Sequence, residues 1–179
     1  EGEARYVYDD RSVLTRTDAA GTTKFEYGPD RLLSVHHPTD GRAYYLFDAL
    51  GSIVDLTTPA GALLAQYQWD AWGNLRSSTD TAANPFGFTG HEMDGESGLI
   101  YARARFYDPV TGRFLSHDPA AGNFSNPPSL HRYLYAYQNP TVFLDPTGTT
   151  PEKDEEEFVQ RMREDLKRQR QRIKEVTGI

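Results

Sequence analysis

Three aspartates in this chain stand directly before proline: Asp108, Asp118 and Asp145. Two carboxylates that share a site cannot both ionise, so one stays protonated as an acid while the other activates water. Asp-Pro is also a common turn dipeptide, and taken singly each of the three reads as a turn residue. Asp118 and Asp145 are 27 residues apart, and that spacing alone does not bring them together. Arg105 stands out for a different reason: it fills a slot where comparable stretches of the chain carry an aromatic, which signals a task besides packing. His36, His37, His91, His117 and His131 match no metal-ligand spacing, and adjacent histidines on a strand point to opposite faces. No metal or cofactor is expected. No Ser-His-Asp arrangement or phosphate-cradling glycine loop stands out.

The slot belongs to a repeat. Tyr8, Tyr27, Phe47 and Trp69 anchor units 19, 20 and 22 residues apart, each with an aliphatic six positions on: Leu14, Leu33, Ile53 and Leu75. Two positions before each anchor lies a second aromatic, Tyr6, Phe25, Tyr45 or Tyr67, on the same face of an extended strand. A turn follows directly. Asp9, Asp48 and Asp70 can bond the backbone two residues on, and Gly51 and Gly73 can supply positive φ. Second turns at Ala20-Gly21, Asp40-Gly41 and Ala60-Gly61 close each unit into a β-hairpin with arms of about ten residues. Such a unit cannot bury its apolar face alone, so neighbours stack beside it. Tyr107 reads as a fifth, modified anchor with Phe114 in the aliphatic slot, and this puts Arg105 in the aromatic position. The aromatic ladder could stack sugars, but four in-register pairs read first as core or lining.

Charge and composition narrow the classes. Residues 151–179 hold eight acids and eight bases, so the whole net charge of −7 belongs to residues 1–150. An acidic body argues against nucleic-acid binding. No run of about 18 apolar residues predicts membrane insertion. Without cysteine there is no disulfide framework. The start at Glu1-Gly2-Glu3, inside an apparent repeat, is expected of a fragment with further repeats upstream.

From about Asn84 the pattern becomes denser. The spacing of Leu130, Tyr133, Leu134 and Tyr137 predicts a short helix over 129–139. Thr150-Pro151-Glu152-Lys153 resembles a helix start, with acids crowding 152–157 and bases 161–174. Phe158, Met162, Leu166 and Ile173 share a stripe, so an amphipathic helix of about 25 residues is predicted to dock there.

The tracts Arg103-Ala104-Arg105-Phe106-Tyr107-Asp108-Pro109, Gly112-Arg113-Phe114-Leu115-Ser116-His117-Asp118-Pro119, Tyr135-Ala136-Tyr137-Gln138-Asn139-Pro140 and Asp145-Pro146-Thr147-Gly148 resemble, in order and spacing, the core domain that ends Rhs and YD-repeat proteins. Tyr67 to Leu75 and Phe86 to Glu92 resemble the family's repeat-to-core junction, and the likeness spans about residues 5–148. It implies a mainly β fold: an antiparallel YD-repeat β-hairpin sheet over 1–83, a fragment of a β-cocoon, then a compact core domain over 84–148. A charged C-terminal α-helix over 149–179 completes the expected organisation.

The same resemblance implies a bacterial, secreted or cell-surface protein, similar to polymorphic Rhs toxins, toxin-complex C subunits and the YD shells of teneurins. Its role would be to close a shell that encapsulates or displays a variable C-terminal segment, as cargo or as a docked helix. Partners would be upstream repeats of the same parent, with self-association through sheet edges. Carried over residue by residue, an aspartyl autoprotease would use Arg105, Asp118 and Asp145 to cut beside Gly148, Thr149 and Thr150. Two departures weigh against cutting: Thr149-Thr150 replaces the family's apolar residue, and the final segment of about 30 residues is short for a folded toxin. A carbohydrate- or receptor-binding surface is a third reading.

Overall fold

A computed structural model describes residues 4–9, 12–28, 31–80, 84–149 and 152–153. The repeats form one eight-stranded antiparallel meander in sequence order: β1 (Arg5–Asp9), β2 (Ser12–Asp18), β3 (Gly21–Tyr27), β4 (Leu32–His37), β5 (Gly41–Phe47), β6 (Ile53–Thr57), β7 (Leu63–Trp69) and β8 (Leu75–Ser78). Alternation along β3, β5 and β7 turns both aromatics of the pair towards the core. Phe25, Tyr45 and Tyr67 are no more than 6 % exposed, and the anchors Tyr27, Phe47 and Trp69 pack partly buried beside them. On the edge strand β1 both Tyr6 and Tyr8 face solvent.

The turns follow the side-chain logic. Asp48 Oδ1 accepts the Leu50 and Ser52 amides at 2.9 and 2.8 Å, and Asp70 Oδ1 accepts those of Trp72 and Asn74 at 2.9 Å each. Gly51 and Gly73 adopt φ of 79° and 87°, a region open to glycine at little cost.

The aliphatic slot needs correction. A β-bulge falls immediately before every anchor, at Val7/Tyr8, Glu26/Tyr27, Leu46/Phe47 and Gln68/Trp69. Tyr8 then pairs with Val13 and Tyr27 with Leu32, five positions on, whereas Phe47 pairs with Ile53 and Trp69 with Leu75. Val13 and Leu32 are buried while Leu33 is exposed. A one-residue shift exchanges the faces of a strand. The glycine-containing turns after Phe47 and Trp69 use one residue more.

After the meander comes a second, four-stranded sheet in the order β12-β11-β10-β9: β9 (Glu92–Met93), β10 (Ile100–Ala102), β11 (Arg105–Asp108) and β12 (Arg113–Phe114). Tyr107 therefore lies outside the repeat sheet. Its ring sits 4.3 Å from Tyr135 and 5.8 Å from Phe114 in a separate aromatic core. Trp69 packs against both cores, and its Nε1–H donates to Ile53 O at 2.7 Å.

No helix forms over 129–139. Two 3-10 turns, Pro127–Leu130 and Ala136–Gln138, stand there instead. Ala136, Tyr137 and Gln138 all take positive φ, which a right-handed helix cannot contain, and Leu130 and Tyr133 are exposed. Glu152–Lys153, expected to open a helix, form strand β14 against β13 (Phe143–Leu144). Ladder bonds to Phe143-Leu144 satisfy this backbone in place of a helical turn. The remainder of the expected C-terminal helix lies outside the described residues.

Candidate active site

Arg105 opens β11 opposite Ala102, across a tight reversal in which Arg103 takes φ 57°. Strand alternation turns its side chain inward, to 4 % exposure, with the guanidinium carbon 3.6 Å from the centre of the Phe114 ring. A cation over an aromatic face keeps part of the attraction it loses on leaving water. Every nitrogen has a partner. Nε donates to the main-chain oxygen of Gly148, and Nη1 donates to that of Arg132 at 3.0 Å. Nη2 meets Asp118 Oδ2 at 2.9 Å and Asp145 Oδ2 at 3.4 Å. Burial pulls the arginine's pKa down, and the carboxylates of Asp118 and Asp145 push it back. The guanidinium remains the cation that both acids face.

Asp118 serves twice. Oδ1 accepts the Ala120 amide at 2.8 Å, closing the Asp-Pro turn, while Oδ2 reaches Arg105. Its own amide donates to Arg132 O at 2.8 Å, so one carbonyl ties both Asp118 and Arg105 in place. Asp145 is fully buried. Its Oδ1 accepts the Thr149 amide at 2.9 Å, and its main-chain oxygen accepts from the Gly148 amide at 3.3 Å and from His91 Nε2 at 3.1 Å. Asp108 stays out of the site, with Oδ1 on the Val110 amide and Oδ2 on the Thr111 hydroxyl.

The peptide between Gly148 and Thr149 is thus held at both ends, its oxygen by Arg105 and its nitrogen by Asp145. Gly148 has φ 71°, and a Cβ there would fall 2.0 Å from Ala102 O, so only glycine fits. A cleft of about 270 Å³ opens alongside, lined by Asp118, Thr149, Ser129, Leu134 and Tyr137 among others. Water can enter it on the Asp118 side while Asp145 remains sealed. Such a set can polarise a carbonyl, take a proton from water and deliver one to a departing nitrogen.

The three residues singled out in the sequence therefore meet around Gly148 and Thr149, and Thr150 lies outside the described residues. His91, weighed only as a metal ligand, is instead a buried donor to Asp145. Its link spans 54 residues, and no local signal announces it.

The Teneurin YD-shell family matches residues 18–141. The chain is 35 % identical over 150 residues to the tRNA3(Ser)-specific nuclease WapA of Bacillus spizizenii, covering 80 % of this chain and 6 % of that protein. It is 38 % identical over 107 residues to toxin protein Tse5 of Pseudomonas aeruginosa, covering 59 % of this chain and 8 % of that one. A crystal structure of TcdB2-TccC3-Cdc42 superposes with a TM-score of 0.64 at 22 % identity, over 82 % of this chain and 8 % of that one. A structure of TcdB2-TccC3 without its hypervariable C-terminal region gives 0.60 at 22 % identity, over 75 % and 7 %. The chain thus spans less than a tenth of the length of these proteins. With the bulged eight-stranded meander, the separate core around Tyr107 and a family match over more than half its residues, the chain belongs to the Rhs/YD-repeat family of shell-forming proteins.

Proposed function

We propose that this chain is the closing end of a YD shell outside the cell, that it holds the segment beyond Gly148, and that it frees this segment by cutting its own Gly148–Thr149 bond. The observation that carries the reading is the grip on that one peptide: Arg105 on its oxygen, Asp145 on its nitrogen, and Asp118 on the same guanidinium beside an open cleft. The activities for which the relatives are named support this division of labour. A tRNA nuclease, toxin protein Tse5 and a double-stranded DNA deaminase toxin match this chain over no more than 11 % of their lengths. A small module shared by proteins of such different named activities fits a holding role better than any one of those activities.

In the reacting form Asp145 carries a proton and Asp118 does not. Asp118 accepts a proton from a water in the cleft as its oxygen attacks the Gly148 carbonyl carbon. Arg105 takes up the charge developing on the carbonyl oxygen. Once attack has made the Thr149 nitrogen pyramidal, its lone pair takes the proton of the Asp145 carboxyl, the C–N bond breaks, and the products are a Gly148 carboxyl and a Thr149 amine. Burial of Phe25, Tyr45 and Tyr67 favours a core role for those rungs of the aromatic ladder over stacking of a sugar.

The test is a time course at pH 5 and pH 7 with sequencing of any new N-terminus. A terminus beginning Thr149-Thr150, absent in Asp118→Asn and Asp145→Asn, supports the reading; a terminus elsewhere, or one that persists in both variants, overturns it. Gel filtration then reports holding. Pieces that elute together support it, and pieces that separate without denaturant contradict it.

A further inference from the structure

Asp145 is held from behind as well as from the front. His91 is buried and its Nε2 lies 3.1 Å from the main-chain oxygen of Asp145. That oxygen can only accept, so Nε2 carries the hydrogen. The ring is neutral at ordinary pH, since burial first and Arg103 second hold its pKa down at about 4.

His91 is itself tied to the repeat sheet. Its main-chain oxygen accepts the Gly87 amide at 2.9 Å, and Gly87 O accepts the Ile53 amide of β6 at 3.0 Å. Two residues on from Gly87, the Thr89 amide donates at 3.1 Å to the hydroxyl of Ser52, which is fully buried. A continuous hydrogen-bonded path therefore runs from β6 through residues 87–91 to Asp145. Around Asp145 the backbone is fixed by the two-residue ladder of β13 and β14 together with single bonds from Gly148, Arg105 and His91. Its placement against Arg105 depends on such tertiary contacts.

We propose that His91 is a positioning residue of the cleavage site, one that makes cutting conditional on the docking of residues 87–91 against the repeat sheet at Ser52 and Ile53. The proposal rests on the cutting of Gly148–Thr149 set out above. Without the His91 donor, the Asp145 carbonyl loses its tie to residues 87–91, and the peptide that Arg105 grips is held less closely. Displacing reacting groups by about 1 Å costs on the order of 10²-fold in rate. A chain whose repeats have not yet formed would then remain whole.

The test uses His91→Leu, His91→Gln and Ser52→Ala in the full chain, with fold checked by denaturant unfolding. Glutamine can place an N–H where Nε2 stood but does not titrate. His91→Leu is expected to slow cutting by about 10²-fold, His91→Gln to restore most of the rate, and Ser52→Ala to slow cutting with all three site residues intact. A folded His91→Leu chain that cuts at the parent rate, or a folded His91→Gln chain as slow as His91→Leu, overturns the proposal. A readout independent of cutting is hydrogen exchange at the Thr149 amide, measured in an Asp118→Asn background that keeps the chain whole. Protection lost in His91→Leu and kept in His91→Gln supports positioning; equal protection in both overturns it. If the parent chain never cuts, the cleavage reading fails and the exchange result still decides the role of His91.

Discussion

Arg105 reaches across 43 residues of chain to donate its Nε–H to the carbonyl oxygen of Gly148. The same guanidinium faces two acids, one of which holds the nitrogen of that same peptide. The contact that closes the core thus falls on the carbonyl of the bond proposed for cutting.

Arg105→Met therefore carries a double penalty. It removes the guanidinium that fully buried Asp145 shares with Asp118, and removing one partner of a buried pair costs about 3–5 kcal/mol. Urea unfolding in an Asp118→Asn background measures this free of cutting. Adding Asp145→Asn is expected to recover more than about 1 kcal/mol of the loss, the coupling typical of groups in direct contact. Additive losses would mean that the two side chains do not interact.

Gly148→Ala is expected to destabilise the region by about 2 kcal/mol or more, through positive φ together with the collision at Ala102 O. Cutting is expected to fall with it, since the carbonyl on which Arg105 acts must move. Chemical denaturation and the cleavage time course check the two effects on one sample.

The acid limb of stability should carry a signature of His91. Folded, this ring titrates at about 4, against 6.5 for an unperturbed histidine. Between those values the unfolded chain takes up a proton that the folded chain refuses. Stability is thus intact above pH 6.5 and falls as pH drops towards 4, by at most about 1.4 kcal/mol per pH unit from this group. In His91→Gln that part of the slope should vanish. An unchanged slope between pH 6 and pH 4.5 would contradict the assignment.

Among the described residues β1 is an edge strand with one side unpaired, and it exposes Tyr6, Val7 and Tyr8, a template for another chain. Light scattering across a concentration series is expected to show association, and Val7→Lys to suppress it. Equal association in both proteins would place the contact elsewhere.

Much of this was legible from residue types and spacing. Phe25, Tyr45 and Tyr67 read as one face of the alternate strands β3, β5 and β7 because alternation is a local property, and Asp48 and Asp70 read as turn residues because their side chains bond only a few positions away. The slot after the anchor did not read correctly. A bulge and one additional turn residue shift the pairing by one, and apolar residues stand at both positions in Val13-Leu14 and Leu32-Leu33. The spacing of Leu130, Tyr133, Leu134 and Tyr137 fits a helix equally well, and the left-handed run from Ala136 to Gln138 has no residue signature. Arg105 was visible as a break in a pattern. His91 was not, because its role is set by a contact 54 residues distant.

The most direct measurement is the intact mass of freshly made chain beside its Asp118→Asn variant. Cutting at Gly148–Thr149 predicts pieces of 148 and 31 residues from the parent chain and a single 20.2 kDa species from the variant. A parent chain that stays whole at 20.2 kDa through mildly acidic and neutral pH would contradict the account.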